Sequence, residues 1–461
     1  MTATEQLAGW AASLRLADVP DAARHAAARH LLDGIGTALA ARREDVVRPA
    51  VTVAGALGGP EEATILGERR RLSAPAAAFA NGALVHGLDF DDTHAGGLVH
   101  ATAVVLPAAL AVGQQTGACG ADVLLAALIG YECVCRIAMA SPHGFHARGL
   151  HATQVAGVFS AAAVTARLCG MSELATTQAF GIAGSSSGGL LEFLSTGAST
   201  KQLHPGSASL NGIIAARLAA AGATGPATVL EGPNGIYAAL SQRPSDVNAI
   251  TAGLGQTWEV TRITIKPYPS CQLMHVALDA AAAAAAAAGP IRPSEIVEVL
   301  AEVHPDSASV VCEPAATKVR PRTSYDAKFS LPWSVAALLV DGRLGVASYA
   351  QASIVRPEVA ELAGRVRSRR TEGAGVAADA AGRVEIQLAD GRRVEGTVEC
   401  SAGAPLAPLD DDALLAKFLG NAGDTILARE LAERVLNLAG EPDLSAVVEL
   451  AARIIEECAC P

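Results

Sequence analysis

From Gln6 to about Gly255 apolar residues recur three and four positions apart with small residues between them, a pattern that predicts one helix after another. Asp21 to Ala41, opened by Pro20, comes first, followed by Ala76 to Asp92, Ala121 to Ala140, His151 to Cys169 and Ser172 to Phe180. After Gly255 the period changes. Thr257 to Ile265 and Ile296 to Val303 alternate as strands do, and Val384 to Leu388 and Val394 to Val398 flank an Ala-Asp-Gly-Arg turn, a hairpin signal. Helices over Ala280 to Ala288 and about Ser324 to Val340 lie between these strands, and Arg365 to Gly382 reads as a polar loop. From Pro408 the helical spacing returns and runs to the end. The predicted architecture is mainly α with an α+β part: an all-helical domain built from residues 1–260 and 405–461, interrupted by an inserted α/β domain at residues 261–404. No self-similarity at about 34 to 45 residues marks a solenoid.

Composition sharpens this picture in three places. Apolar residues make up 51% of the 461 positions but aromatics only 3%, so the helices are expected to pack closely through small side chains. A net charge of −11 without a Lys/Arg cluster interleaved with aromatics argues against nucleic acid as a partner, and it means that an anionic substrate must find its cations within the site itself. The N-terminus has no basic and apolar signal pattern, and no apolar run is long enough to span a membrane, so the expected location is cytoplasmic. Nine scattered cysteines fit reduced thiols there. Cys133/Cys135 and Cys458/Cys460 point to different faces of helical stretches, which speaks against a zinc or iron–sulfur site.

The candidate chemistry centres on ALVHGLDFDDTHAGGLVH, residues 83–100, where three acids and three histidines interrupt an apolar background. Helical spacing puts His86, Asp89 and Thr93 on one face; Gly96 and Gly97 then break the helix, and His100 can fold back over Asp89. Four readings compete: a capped acidic turn, a metal site of Asp91, Asp92, His94 and His100, the Asp-rich magnesium motif of an all-helical terpenoid synthase, and a proton-transfer site. Three further polar islands bear on the choice. His146 precedes His151, which opens a helix. Pro205 fits the first position of another helix, making His204 its N-cap neighbour beside Lys201, a carboxylate-binding corner or a plain cap. In IKPYPSCQLMH, Lys266, Tyr268, Cys271 and His275 lie at the junction of the two predicted domains, where a loop can close over a cleft. Lys266 and His275 beside Cys271 would favour a thiolate base, and a packed structural cysteine is the alternative.

Taken in order, HGLDFDDTH at 86–94, GLHATQVAG at 149–157, TKQLHPGSASLNG at 200–212, KPYPSCQLMH at 266–275 and YDAKFSLPWSVAALLVDG at 325–342 resemble the MmgE/PrpD family, whose members include 2-methylcitrate dehydratase, cis-aconitate decarboxylase and iminodisuccinate epimerase. The resemblance implies a lid formed by the inserted domain, a homodimer, no metal or organic cofactor, and chemistry on a small polycarboxylate. Carried over by position, it implies a site of Asp89, Thr93, His100, His151, Lys201 and Lys266; with the polar islands added, Asp89, His100, His151, Lys201 and Cys271 are the expected catalytic residues and Thr93, His204, Lys266, Tyr268 and His275 the expected substrate-binding ones. Cys271 stands where the decarboxylase branch has a histidine. Removing a proton next to a carboxylate, or losing CO2 from an unsaturated acid, builds charge on an anion, which Lys201 and Lys266 are suited to neutralise. Dehydration of a 2-methylcitrate- or citrate-like acid is the leading expectation, with decarboxylation, epimerisation and a non-catalytic carboxylate-binding paralogue as alternatives.

Overall fold

A computed structural model describes residues 1–373 and 375–459. Cys460, half of one predicted cysteine pair, lies outside the described residues. The chain divides into two compact units, one of residues 1–191, 200–265 and 410–461 and the other of residues 192–199 and 266–409. The protein is mainly α with a smaller α+β part.

The first unit is helical because small residues let helix axes approach closely. Thr200–Ala220 packs against both Ala152–Leu168 and Ala74–His86. At the second of these crossings a Cβ on Gly206 would lie 2.1 Å from the Phe79 carbonyl oxygen, and one on Gly82 would lie 2.6 Å from Gly206 Cα. Two bare glycines therefore fix how near the two helices come. Pro205 sits inside the Thr200–Ala220 helix rather than at its first position, so the predicted start there is corrected. A proline five residues into a helix frees the carbonyl of Lys201 and is tolerated near the first turn. The C-terminal helices complete this unit. Asp410 caps Asp411–Ala422 by accepting from the Ala413 N–H at 2.8 Å, and that helix packs on Asp21–Arg42.

The predicted Ala76 to Asp92 helix stops early: Ala74–His86 ends at Gly87, and Asp89 adopts a left-handed conformation with φ 53°. Gly96 and Gly97 thus do not end it. The segment after Gly87 contains the short strand Thr93–His94, paired antiparallel with Ile263–Thr264, and a second left-handed residue, Leu98 at φ 49°. Of the predicted Thr257 to Ile265 strand, Ile263–Thr264 forms a strand; Glu259–Arg262 forms a 3-10 turn instead. Glu259 turns inward there to meet His94 at 3.1 Å, which alternation alone does not foresee. Among the described residues no helix is long and apolar enough to cross a membrane.

In the second unit a four-stranded sheet runs in the order Val366–Arg370, Ile296–Val303, Gly382–Leu388, Arg393–Val398, with the first pair parallel and the others antiparallel. The hairpin is present. Part of the predicted Arg365 to Gly382 loop is the edge strand Val366–Arg370, whose Arg369 pairs with Glu302 and Arg370 with Glu313, so its charges are satisfied on a strand. His275–Ala288 covers Gly382–Leu388 and Arg393–Val398. The predicted Ser324 to Val340 helix is two, Ser324–Ala327 and Leu331–Asp341, because Ser330 caps the second by accepting from the Trp333 N–H at 3.1 Å.

Candidate functional site

Because the helix ends at His86 and the next fifteen residues curl back, His86, Asp89, Asp91, Asp92, Thr93 and His100 all come together and all are buried. His151 arrives as the N-cap of Ala152–Leu168, and Lys201 and His204 from the first turns of Thr200–Ala220, one turn apart. Thr93 does not share a helix face with His86 and Asp89; it reaches the group from its strand, with its hydroxyl 3.3 Å from His100 Nδ1.

The hydrogen bonds assign the imidazole protons. His100 Nδ1 lies 2.9 Å from the Asp92 carbonyl, which only accepts, so Nδ1 carries the proton and Nε2 presents a lone pair to Lys201 Nζ at 3.4 Å. His86 Nδ1 donates to Asp91 Oδ2 at 2.8 Å, leaving Nε2 as a buried basic nitrogen without a hydrogen-bond partner. Lys201 Nζ donates to Asp89 Oδ1 at 2.6 Å. His151 Nδ1 faces His204 Nδ1 at 3.2 Å, and its Nε2 lies 3.1 Å from Thr153 Oγ1. The ring centres of His86 and His100 are 4.4 Å apart and each is 5.7 Å from that of His151.

Such crowding disfavours extra positive charge. Burial, and then the ammonium of Lys201, hold His151 well below the usual imidazole range, while burial followed by His86 and Lys201 brings His204 down to about 4. Burial also lowers His86, against the pull of Asp91. The resting site therefore holds neutral imidazoles around one lysine. Behind it, burial would raise Asp92, but hydrogen bonds from His30 and Thr102 outweigh that and keep it ionised; His30 Nδ1 is 3.0 Å away. Lys417, on Asp411–Ala422, pairs with Asp33 at 2.6 Å and donates to the carbonyl of Phe90 at 2.9 Å, steadying the peptide next to left-handed Asp89.

Two overlapping groups, His86/His100/His151 and His86/Asp89/Asp91/His100, have ligand atoms within 4.8 Å of one another and so the spacing of a metal site. Lys201 lies against the second of them, so a divalent ion held there would sit beside an ammonium already paired with one of its ligands. Among the described cysteines none is disulfide-bonded, and Cys133 and Cys135 are buried in Gly120–Met139, where burial raises both thiols.

Lys266, Tyr268, Cys271 and His275 belong to the second unit. Within it the Tyr268 hydroxyl donates to Asp279 at 2.7 Å, and His275 Nε2 donates to the Ser270 carbonyl at 3.1 Å. Cys271 packs against the unit's apolar core, and its N–H donates to the Lys328 carbonyl at 2.9 Å. Lys318, a buried lysine that spacing did not single out, interacts electrostatically with this thiol. His86, Asp91 and Thr153 were also absent from the predicted site. His86 and Asp91 stood in the same polar island and were legible as candidates; Thr153 carried no signal beyond following His151 by two.

A two-unit, mainly helical protein with a buried carboxylate, lysine and imidazole group defines the class. Residues 5–247 match the MmgE/PrpD N-terminal domain and residues 268–439 the MmgE/PrpD C-terminal domain. The chain belongs to the MmgE/PrpD family. It is similar to the cis-aconitate decarboxylase of Aspergillus terreus, 27% identical with 97% of this chain and 95% of the relative covered, and to that of Mus musculus, 27% identical with 94% and 89% covered. The cis-aconitate decarboxylase-like protein oryM of Aspergillus oryzae is 26% identical, with 97% and 96% covered.

Proposed function

We propose that the protein is a lyase acting on a small unsaturated polycarboxylate, with decarboxylation of a cis-aconitate-like acid as the reaction. The observation that carries this reading is Lys201, a buried ammonium held between Asp89 and the lone pair of His100 in a site otherwise filled with neutral imidazoles. Losing CO2 breaks a carbon–carbon bond and leaves its electron pair on carbon, delocalised into the remaining unsaturated carboxylate. Lys201 offsets that charge, and an imidazolium delivers the proton that replaces CO2. His151 fits the donor role, Asp89 holds Lys201, Thr93 and His100 orient the acid, and Lys266, Tyr268 and His275 are assigned to substrate recognition. The names of the relatives move decarboxylation ahead of the dehydration expected from sequence; dehydration and epimerisation remain as other outcomes of the same test.

Incubation of the EDTA-treated protein with cis-aconitate, 2-methylcitrate and iminodisuccinate, followed by NMR, distinguishes these reactions. Conversion of cis-aconitate with loss of CO2 is expected, and inertness toward it would overturn the reading. Binding of tricarboxylates without turnover would leave a carboxylate-binding paralogue, and activity that vanishes with EDTA would return the metal readings. The protein is further proposed to be a cytoplasmic homodimer needing no cofactor; a monomer mass by light scattering at micromolar concentration would contradict the dimer.

A further inference from the structure

We propose that His204 acts through His151 as a proton relay, the two imidazoles forming a two-position hydrogen-bond chain that resupplies the proton consumed in each turnover. The inference rests on the decarboxylase reading, in which one proton enters the product for every CO2 released.

The geometry of the pair is specific. With Nδ1 facing Nδ1 at 3.2 Å, one ring must donate and the other accept. Thr153 Oγ1, which accepts the His100 N–H at 3.1 Å, continues the chain at His151 Nε2, also 3.1 Å away. Two consistent arrangements exist. In one, Thr153 donates to His151 Nε2 and His151 Nδ1 donates to His204; in the other, His204 donates to His151 Nδ1 and His151 Nε2 carries the outer proton. Passing from the second to the first, with the outer proton handed on from His151 Nε2, moves one proton along the chain, from His204 toward the His86/His100 side of His151.

The surroundings give the chain a direction. His151 is 1% exposed and His204 8%, so of the two partners His204 is the more accessible and is assigned as the point of proton entry. The loop at Gly189 seats both rings: its carbonyl accepts the His151 N–H at 2.7 Å, and a Cβ there would lie 3.2 Å from His204 Nδ1. The groups facing the pair include His86, Lys201 and His100, whose ring centre is 5.7 Å from that of His151, together with His146 at 6.1 Å. Burial and the Lys201 ammonium keep both imidazoles neutral at rest, so an incoming polycarboxylate, by adding negative charge, draws the proton in with it. His204, protonated at Nε2 by water, gives its Nδ1 proton to His151 Nδ1 while His151 Nε2–H protonates the carbon left by CO2; this leaves the first arrangement, and tautomer exchange back to the second readies the pair for another proton from water.

The test compares His204→Gln and His204→Ala with the wild-type protein on cis-aconitate. Gln can occupy the hydrogen bond but cannot pass a proton. The expected result is a fall in kcat of roughly 10-fold or more, KM within about twofold, a larger solvent deuterium isotope effect on kcat, and partial recovery of His204→Ala by added imidazole. Unchanged kcat in His204→Gln would overturn the relay. So would a loss of kcat with an unaltered isotope effect and no rescue, the behaviour of a merely structural residue. Nitrogen-15 NMR of labelled wild-type protein tests the pair without turnover: a proton coupled to both Nδ1 atoms is expected, and its absence overturns the chain. Inertness of the wild-type protein toward cis-aconitate would instead sink the reaction and take the proton demand with it.

Discussion

At the residue scale the site works through one cation and the groups that surround it. Lys201 neutralises Asp89 and, after burial, is the largest cause of the depressed basicity of His151. Lys201→Met is expected to lower kcat/KM roughly 10²- to 10³-fold, as removal of a charge-stabilising donor does. The same change should raise the pKa of His151, seen by NMR titration of the folded variant; an unmoved His151 would dissociate the two groups. Cys271 packs, partly buried, against the second unit's apolar core, and we propose packing as its role. Cys271→Ser should then keep kcat within about threefold, whereas a fall of roughly 10² would restore the thiolate base.

At the element scale the site depends on where helices end and how near they come. Termination of Ala74–His86 at Gly87 turns what would be one face of a helix into a buried loop, and the left-handed Asp89 within it is tolerated because Asp adopts that conformation more readily than most residues. Lys201 reaches the loop because Gly82 and Gly206 let Thr200–Ala220 lie against Ala74–His86. A methyl group on Gly206 would meet the Phe79 carbonyl, so Gly206→Ala is expected to destabilise by roughly 1–3 kcal/mol. By pushing the helix that carries Lys201 outward, it should also reduce kcat more than KM. Calorimetry and steady-state kinetics check the two effects separately; a variant of wild-type melting temperature would show the contact to be slack.

At the scale of the whole molecule, buried neutral histidines link stability to pH. His204 takes up a proton near 6.5 in the unfolded chain but only near 4 in the folded protein. Its contribution is therefore complete above pH 6.5 and is lost as pH falls toward 4, because the unfolded state binds the extra proton first. Burial shifts His151 and His86 in the same direction, so the melting temperature should decline through this window. His204→Gln should show a shallower decline, and a melting temperature independent of pH between 6.5 and 4 would refute the linkage.

The sequence by itself determined the mainly helical class, the α+β insertion, the hairpin and the family, because these follow from local periodicity and from motifs contiguous in the chain. It also marked Asp89, His100, His151, Lys201 and His204 as candidates, since titratable groups stand out against an apolar background. Only the tertiary structure decided how they meet. Periodicity carried the helix from Ala76 through to Asp92, but packing ended it at Gly87, and a proline that reads as a helix start lies inside one. The pairing of His151 with His204, fifty-three residues apart, and the roles of Asp92, His30 and Lys417 behind the site were not legible in any motif. Local sequence fixes which backbone conformations are favourable; which side chains share a buried volume depends on close approach between distant helices, and that is set by the bare glycines at their crossings.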